Sequence, residues 1–335
     1  MIDGAITVKN LLILTGIQDV LNLDGITEVA VNQPHRIWYE KGNGWEYKDA
    51  PQCSYQHCLS LARALAVFSG LRSPLDFNNP IASVTLPDGE RGQILIAPAC
   101  ETGTIAITIR KPSIRRFTLE DYEQSGRFNT VKEATKKTIE LSDSQNELLL
   151  LKKQKRIIEF FQLAIKLKLN ILIVGGTGSG KTSFMKPLVD CYPHDKRLIT
   201  IEDTPECDLP YHLNHIRLFY KEGGITPKVI IEACMRLKPD HIFLAELRGD
   251  EAWNYIEMLN TGHAGSITTI HANDCYSAFS RLASLVKQSN IGQTLDYDFI
   301  MKTIKSSIDV VCFYDHTYLT EIYYNPQEKN QLLSE

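Results

Sequence analysis

The octapeptide GGTGSGKT, residues 175–182, constrains this chain more than any other stretch. Gly175, Gly180, Lys181 and Thr182 meet the spacing G-x-x-x-x-G-K-[ST], and a chance match in a chain of this length has a probability on the order of one in a hundred. The apolar run ILIV precedes the loop and a helical stretch follows it, as phosphate binding requires, because loop amides and a helix N-terminus must converge on the anion. Gly175, Gly176, Thr177, Gly178, Ser179 and Gly180 form that cradle, Lys181 reaches the terminal phosphates and Thr182 coordinates Mg²⁺. Pro187 is expected to kink or shorten the helix that follows.

A strand–loop–helix unit of this type implies an α/β fold, and the flanking texture agrees. From residue 170, NILIV, RLITIE, HIFLAE and SITTIH alternate with helical stretches, as in a parallel sheet with its ligand at the carboxyl ends of the strands. Thr226 and Pro227 mark one helix start, and Gly262 the end of the helix through EAWNYIEMLN. Residues 1–117 read differently, as a mixed α+β domain. ITEVAVN, RIWYE, IASVTL, RGQILI and TIAITIRK alternate as strands, and SYQHCLSLARALAVFSG has helical spacing ending at Gly70. In TIAITIRK, Ile105, Ile107 and Ile109 share one face and Arg110 the other. Residues 118–150 are polar and weakly patterned, a linker that enters one helix over about 145–168; residues 151–335 form the phosphate-binding domain.

A phosphate cradle needs carboxylates for metal and water. HIFLAELRGDEAW supplies Glu246 with Arg248, and RLITIEDTPE supplies Glu202, Asp203 and Glu206, each just past a strand. TGHAGSITTIHAND adds His263 and His271, of which His271 ends a strand of the same sheet and is placed to sense the γ-phosphate by hydrogen bonding.

Taken in order, GGTGSGKT, IEDTPE, LAELRGDEAW and TGHAGSITTIHAND resemble the Walker A, Asp, Walker B and His boxes of secretion ATPases. GITEVAVNQPHRIWYE and RGQILIAPACETGTIAITIRKPS resemble the VirB11 branch, the traffic ATPases of bacterial type IV secretion and conjugation. The resemblance implies a RecA-like P-loop ATPase domain with a mainly parallel sheet after the N-terminal domain. It further implies a homohexamer that uses ATP and Mg²⁺ at the cytoplasmic face of the inner membrane, beside other type IV secretion ATPases and inner-membrane components, to drive pilus assembly and export. By the same resemblance Glu246 holds the metal through water, Glu202 or Glu206 orients the attacking water, and His271 couples to the γ-phosphate. Arg91 and Arg110 match arginines that reach the nucleotide from the N-terminal domain. Ala245 departs from the glycine common before the Walker B glutamate, and the tetracysteine module of the type II branch is absent.

Composition weighs on the rivals. A net charge of −4 disfavours a nucleic-acid coat and counts against a ring helicase with basic pore loops, and sequence-specific nucleic-acid binding is not expected. A small-molecule kinase would need a lid and an acceptor site, of which the N-terminal domain gives no sign. No apolar run approaches the ~18 residues of a membrane span, and MIDGAITVKN lacks the features of a signal peptide, so a cytoplasmic protein with at most peripheral membrane contact is expected. The eight cysteines have irregular spacing and read as reduced, mostly buried thiols. The cluster RKPSIRR, residues 110–116, is a solvated turn, an anionic-lipid contact or an intersubunit pair.

Overall fold

The computed structural model describes residues 2–42, 44–112, 116–134, 139–221 and 223–334; Arg115 of the basic cluster lies outside them, and Arg116 is exposed. The chain opens with a helix that the sequence reading missed, α1 (Ile2–Thr15), followed by the short α2 (Ile17–Leu21). Strands β1 (Glu28–Val31), β2 (Arg36–Glu40) and β3 (Trp45–Asp49) lead to α3 (Tyr55–Phe68), and β4 (Ile81–Thr85), β5 (Arg91–Leu95) and β6 (Ala106–Arg110) follow. Ser54 caps α3 by accepting the His57 amide, and Cys58, Leu61, Ala62 and Leu65 form its buried stripe. The six strands form one antiparallel sheet in the order β3-β2-β1-β6-β5-β4. One face, with Val29, Val31, Ile94, Ile107 and Ile109, packs with Val8 and Leu12 of α1 and with α3 in a single core.

The linker is more ordered than its polarity suggests. Thr118 and Asp121 form a capping box that opens α4 (Leu119–Gln124), and Ser142 and Gln145 do the same for α5 (Asp143–Lys153). The single helix expected over 145–168 is two helices, α5 and α6 (Ile157–Lys166). A Schellman turn divides them: Arg156 N–H donates to Leu151 O at 3.0 Å and Lys155 N–H to Lys152 O at 3.1 Å, with Lys155 held at φ 56°. Nothing in the local composition announces this stop, because lysine occupies the position that glycine usually takes.

The second unit runs β7 (Ile171–Gly175), α7 (Lys181–Asp190), β8 (Leu198–Glu202), β9 (His215–Phe219), α8 (Pro227–Cys234), β10 (His241–Leu244), α9 (Glu251–Asn260), β11 (Ile267–Ile270), α10 (Cys275–Val286), α11 (Asn290–Thr294), α12 (Tyr297–Ser307), β12 (Val310–Asp315), β13 (Tyr318–Tyr324) and α13 (Pro326–Ser334). Helix α7 continues through Pro187 for three further residues. The sheet order is β13-β12-β7-β11-β10-β8-β9, parallel throughout except for the β12–β13 hairpin. The sequence reading named β7, β8, β10 and β11; β9, β12 and β13 extend the sheet at both edges. Every residue of β7, β8, β10 and β11 is buried, as expected for a parallel sheet covered on both faces. This is a RecA-like α/β domain behind an α+β domain. No helix among the described residues is long and apolar enough to cross a membrane. All eight cysteines are unpaired thiols, and only Cys191 is exposed.

Part of the polar face of the first sheet is covered by the second unit. Leu95, Ala99, Cys100 and Ala106 join the core of the second unit, and Cys100 bridges to Leu218 of β9. At the centre of this junction stands Arg197, 0% exposed. Its Nε donates to Leu237 O at 2.9 Å, Nη1 to Asn214 Oδ1 at 2.7 Å and Nη2 to Thr108 Oγ1 at 3.2 Å, while its guanidinium lies 4.8 Å from the Trp45 ring centre. Asn32 also donates to Asn214 Oδ1, at 2.8 Å. A buried cation needs this many acceptors to offset its lost hydration.

Candidate nucleotide site

The strand order places four sequence segments on four consecutive strand ends: the loop after β7, His271 after β11, Glu246 after β10 and Glu202 ending β8. In the loop, a side chain on Gly175 would meet Tyr314 O at 2.4 Å, so the close approach of β12 admits only glycine. Gly180, at φ 88°, turns the chain into α7. Lys181 is buried and donates to Gly175 O at 3.0 Å and Gly176 O at 2.7 Å. Burial holds its ammonium below the ordinary lysine range, and the nearby Glu246 carboxylate draws it back up. Thr182 is half-buried beside it, Ser179 is buried, and Gly176, Thr177 and Gly178 are exposed.

Glu246 is the hub of the acidic side. Arg248 Nε donates to its Oε2 at 2.8 Å and Nη2 lies 2.6 Å from the same oxygen; Arg248 Nη1 reaches on to Asp203 Oδ2 at 2.6 Å. One guanidinium thus joins the two acidic clusters, and the Glu246 carboxylate holds its pKa above the usual arginine range. The buried Glu251 fixes the intervening turn by accepting the amides of Arg248 and Gly249. His271 Nε2 stands 2.7 Å from Glu246 Oε1, yet that oxygen receives no aligned hydrogen bond among the described residues. Ser179 Oγ is likewise buried without a partner among the described residues.

Glu202 and Glu206 differ sharply. Glu202 is fully buried and accepts from Thr200 Oγ1 at 2.6 Å, from the amides of Glu206 and Cys207 at 2.8 Å each, and from Arg217 Nε at 3.3 Å and Nη2 at 3.4 Å. Both of its oxygens are saturated. Glu206 is exposed, and only its backbone amide takes part.

A cavity of about 380 Å³ over the loop is lined by Gly175, Gly176, Thr177, His271 and Ala272, and by Asn273, Ser277 and Arg281. The last three were missed by the sequence reading. Their signal was a stripe at every fourth residue entering α10. Arg91 and Arg110 do not line this cavity. They pair directly across β5 and β6 at the rim of the domain junction, with Arg110 78% exposed and its Nε 3.7 Å from Glu28 Oε1. His263 precedes β11 and so lies at the opposite end of the sheet from the loop.

The family model described as "Type II/IV secretion system protein" matches residues 24–314. The chain is similar to the type IV secretion system protein VirB11 of Brucella suis, 42% identical over 92% of this chain and 88% of that protein. It is also similar to VirB11 of Bartonella henselae, 36% identical over 95% and 94% of the two chains, and to PtlH of Bordetella pertussis, 33% identical over 87% and 86%. The crystal structure of the Brucella suis VirB11 ATPase in complex with sulphate superposes with a TM-score of 0.92 at 40% identity, over 99% of this chain and 98% of that one. Both the cores and the order of the boxes are thereby accounted for: this chain belongs to the type II/IV secretion system protein family, in its VirB11 branch of secretion ATPases.

Proposed function

We propose that this protein hydrolyses ATP as a homohexameric ring at the cytoplasmic face of the inner membrane, to power type IV secretion, conjugative transfer and pilus assembly. The observation that carries the reading is the line of four strand ends, which sets a phosphate loop, an imidazole and two acidic clusters side by side. Membership of the VirB11 branch supports the type of work, alongside other type IV secretion ATPases and inner-membrane components.

The residues present fit a magnesium-bound triphosphate. Lys181 can exchange the carbonyls of Gly175 and Gly176 for phosphate oxygens, and the unpartnered Ser179 Oγ and Glu246 Oε1 supply polar contacts at the loop and on its acidic side. Thr182 and Glu246 would hold Mg²⁺, Glu246 through water, and the ion would offset charge on the transferred phosphoryl group. Glu206 orients the attacking water, because its carboxylate is exposed, whereas Glu202 is spent on the loop that carries Glu206. His271, beside Glu246, positions the γ-phosphate end. Arg91 and Arg110, exposed at the rim, serve the site of a neighbouring subunit in the ring.

Lys181→Ala tests the phosphate assignment. ATP turnover should fall by more than about a hundredfold, with the circular dichroism spectrum unchanged. Wild-type turnover in the folded variant would remove the loop from the mechanism.

A further inference from the structure

The eight thiols are not equivalent. Among the described residues one sulfur–sulfur hydrogen bond occurs, between Cys53 and Cys58 at 3.3 Å, and both side chains are buried in the core of the N-terminal domain. Their places in the chain explain the contact. Ser54 is the N-cap of α3, so Cys53 stands just before the cap and Cys58 is the fourth residue of the helix. Side chains at these two places meet across the first turn of a helix, ordinarily as an apolar staple. Here the staple is made of two thiols, so a packing contact becomes a pair of sulfurs able to bond.

The backbone holds both residues in place. Cys53 N–H donates to Ala50 O at 2.8 Å, Cys53 O accepts His35 N–H at 2.7 Å, and Cys58 N–H donates to Ser54 O at 2.9 Å. To bond, the sulfurs must approach by about 1.3 Å, to a length of ~2.05 Å, which rotation about the two Cα–Cβ bonds supplies. The two thiols differ in acidity. The hydrogen bond from Cys58 holds the Cys53 thiol below its ordinary range, and giving that bond raises Cys58. The N-terminus of α3 favours a thiolate at Cys53 as well. Pro51 and Gln52, just before the pair, are exposed, so little chain separates these sulfurs from water.

We propose that Cys53 and Cys58 form a reversible dithiol–disulfide site that takes hydrogen peroxide as its oxidant. The site goes beyond the ATPase reading and does not rest on it. The Cys53 thiolate attacks one peroxide oxygen: an S–O bond forms, the O–O bond breaks, and the hydroxide released takes up a proton to leave as water. The Cys58 sulfur then attacks the Cys53 sulfur. The S–S bond forms, the S–O bond breaks, and a second water leaves with the Cys58 proton. Two electrons pass from the two thiols to the peroxide. Resolution by Cys58 stops Cys53 short of the irreversible sulfur acids.

The test treats the folded full chain with hydrogen peroxide, at a dose that oxidises the exposed Cys191, then unfolds it and alkylates the remaining thiols. Both cysteines fall on one tryptic peptide, residues 49–63, which is read by mass spectrometry without reduction. That peptide should lose two hydrogens, resist alkylation, and recover both thiols in dithiothreitol, while the other buried cysteines alkylate as in untreated protein. In folded Cys58→Ser, dimedone should label Cys53 at least about tenfold more than in wild type. Full alkylation of both cysteines after peroxide would overturn the proposal and leave the pair a packing staple, whether or not the variant folds. A disulfide that forms only in denaturant, oxidation spread equally over the buried thiols, or dimedone labelling no higher in folded Cys58→Ser would overturn it too.

Discussion

Replacing Glu202 by Gln tests which of the two acidic residues holds the loop and which acts on water. The change keeps the shape of the side chain but removes its charge and one acceptor. In the structure both oxygens face donors. Oε1 receives Thr200 Oγ1 and Arg217 Nε; Oε2 receives two backbone amides and Arg217 Nη2. Whichever way the amide is placed, its NH₂ group meets at least one arginine N–H head on. Among the described residues Arg217 then keeps one carboxylate, Glu101, at 3.3 Å. Losing one member of a buried, hydrogen-bonded charge pair costs about 3–5 kcal/mol, and the remaining Glu101 contact argues for the lower end, about 3. For a unit of this size that lowers Tm by roughly 6–12 °C. Glu206→Gln, at an exposed side chain, should leave Tm within about 1 °C while lowering kcat by more than tenfold. Thermal melting and steady-state ATPase assays on the two variants decide the matter. A Glu202→Gln protein that melts with wild type and loses only kcat would refute the reasoning and make Glu202 the residue on the water.

Arg197→Ala should cost about 3–5 kcal/mol, since it opens a large cavity at the buried junction and strands Leu237 O and Thr108 Oγ1, and hydrogen exchange at the β6 amides should quicken. Glu28 sits at the same junction, and burial raises its carboxyl to about 7 against the pull of Lys238 and Arg110. The folded state therefore keeps a proton that the unfolded chain gives up between pH 4.5 and 7, and wild type loses stability as pH rises through that window. Glu28→Gln should match wild type at pH 4.5 and exceed it at pH 8 by up to about 3 kcal/mol; a gap independent of pH in calorimetry would count against this. Arg248→Ala unties Glu246 from Asp203, and kcat should fall about tenfold with nucleotide affinity kept; a loss confined to affinity would contradict that role.

The parts legible in the sequence are those whose chemistry dictates residue type locally. The phosphate loop, the strand ends with Glu202, Glu246 and His271, and the Thr226–Pro227 helix start all announce themselves within a dozen residues, and α8 begins with Thr226 accepting the Val229 amide. What stayed hidden depends on partners distant in the chain. Thr108 falls by alternation on the same non-apolar face as Arg110, yet it is buried, and Arg197, 89 residues away, donates to it. Strands β9, β12 and β13 carry no motif, and α1 was read only for what it lacks as a leader. The choice between Glu202 and Glu206 could not be made from spacing. It depends on Arg217, which β9 brings alongside β8.

The most direct test of the central claim, a ring whose sites need a neighbour, is ATPase activity per subunit against protein concentration, with size measured by light scattering on the same samples. The account predicts that activity rises as rings form and that Arg110→Ala flattens the rise while nucleotide still binds. Activity per subunit that is constant with concentration, in a sample shown to be monomeric, would contradict it.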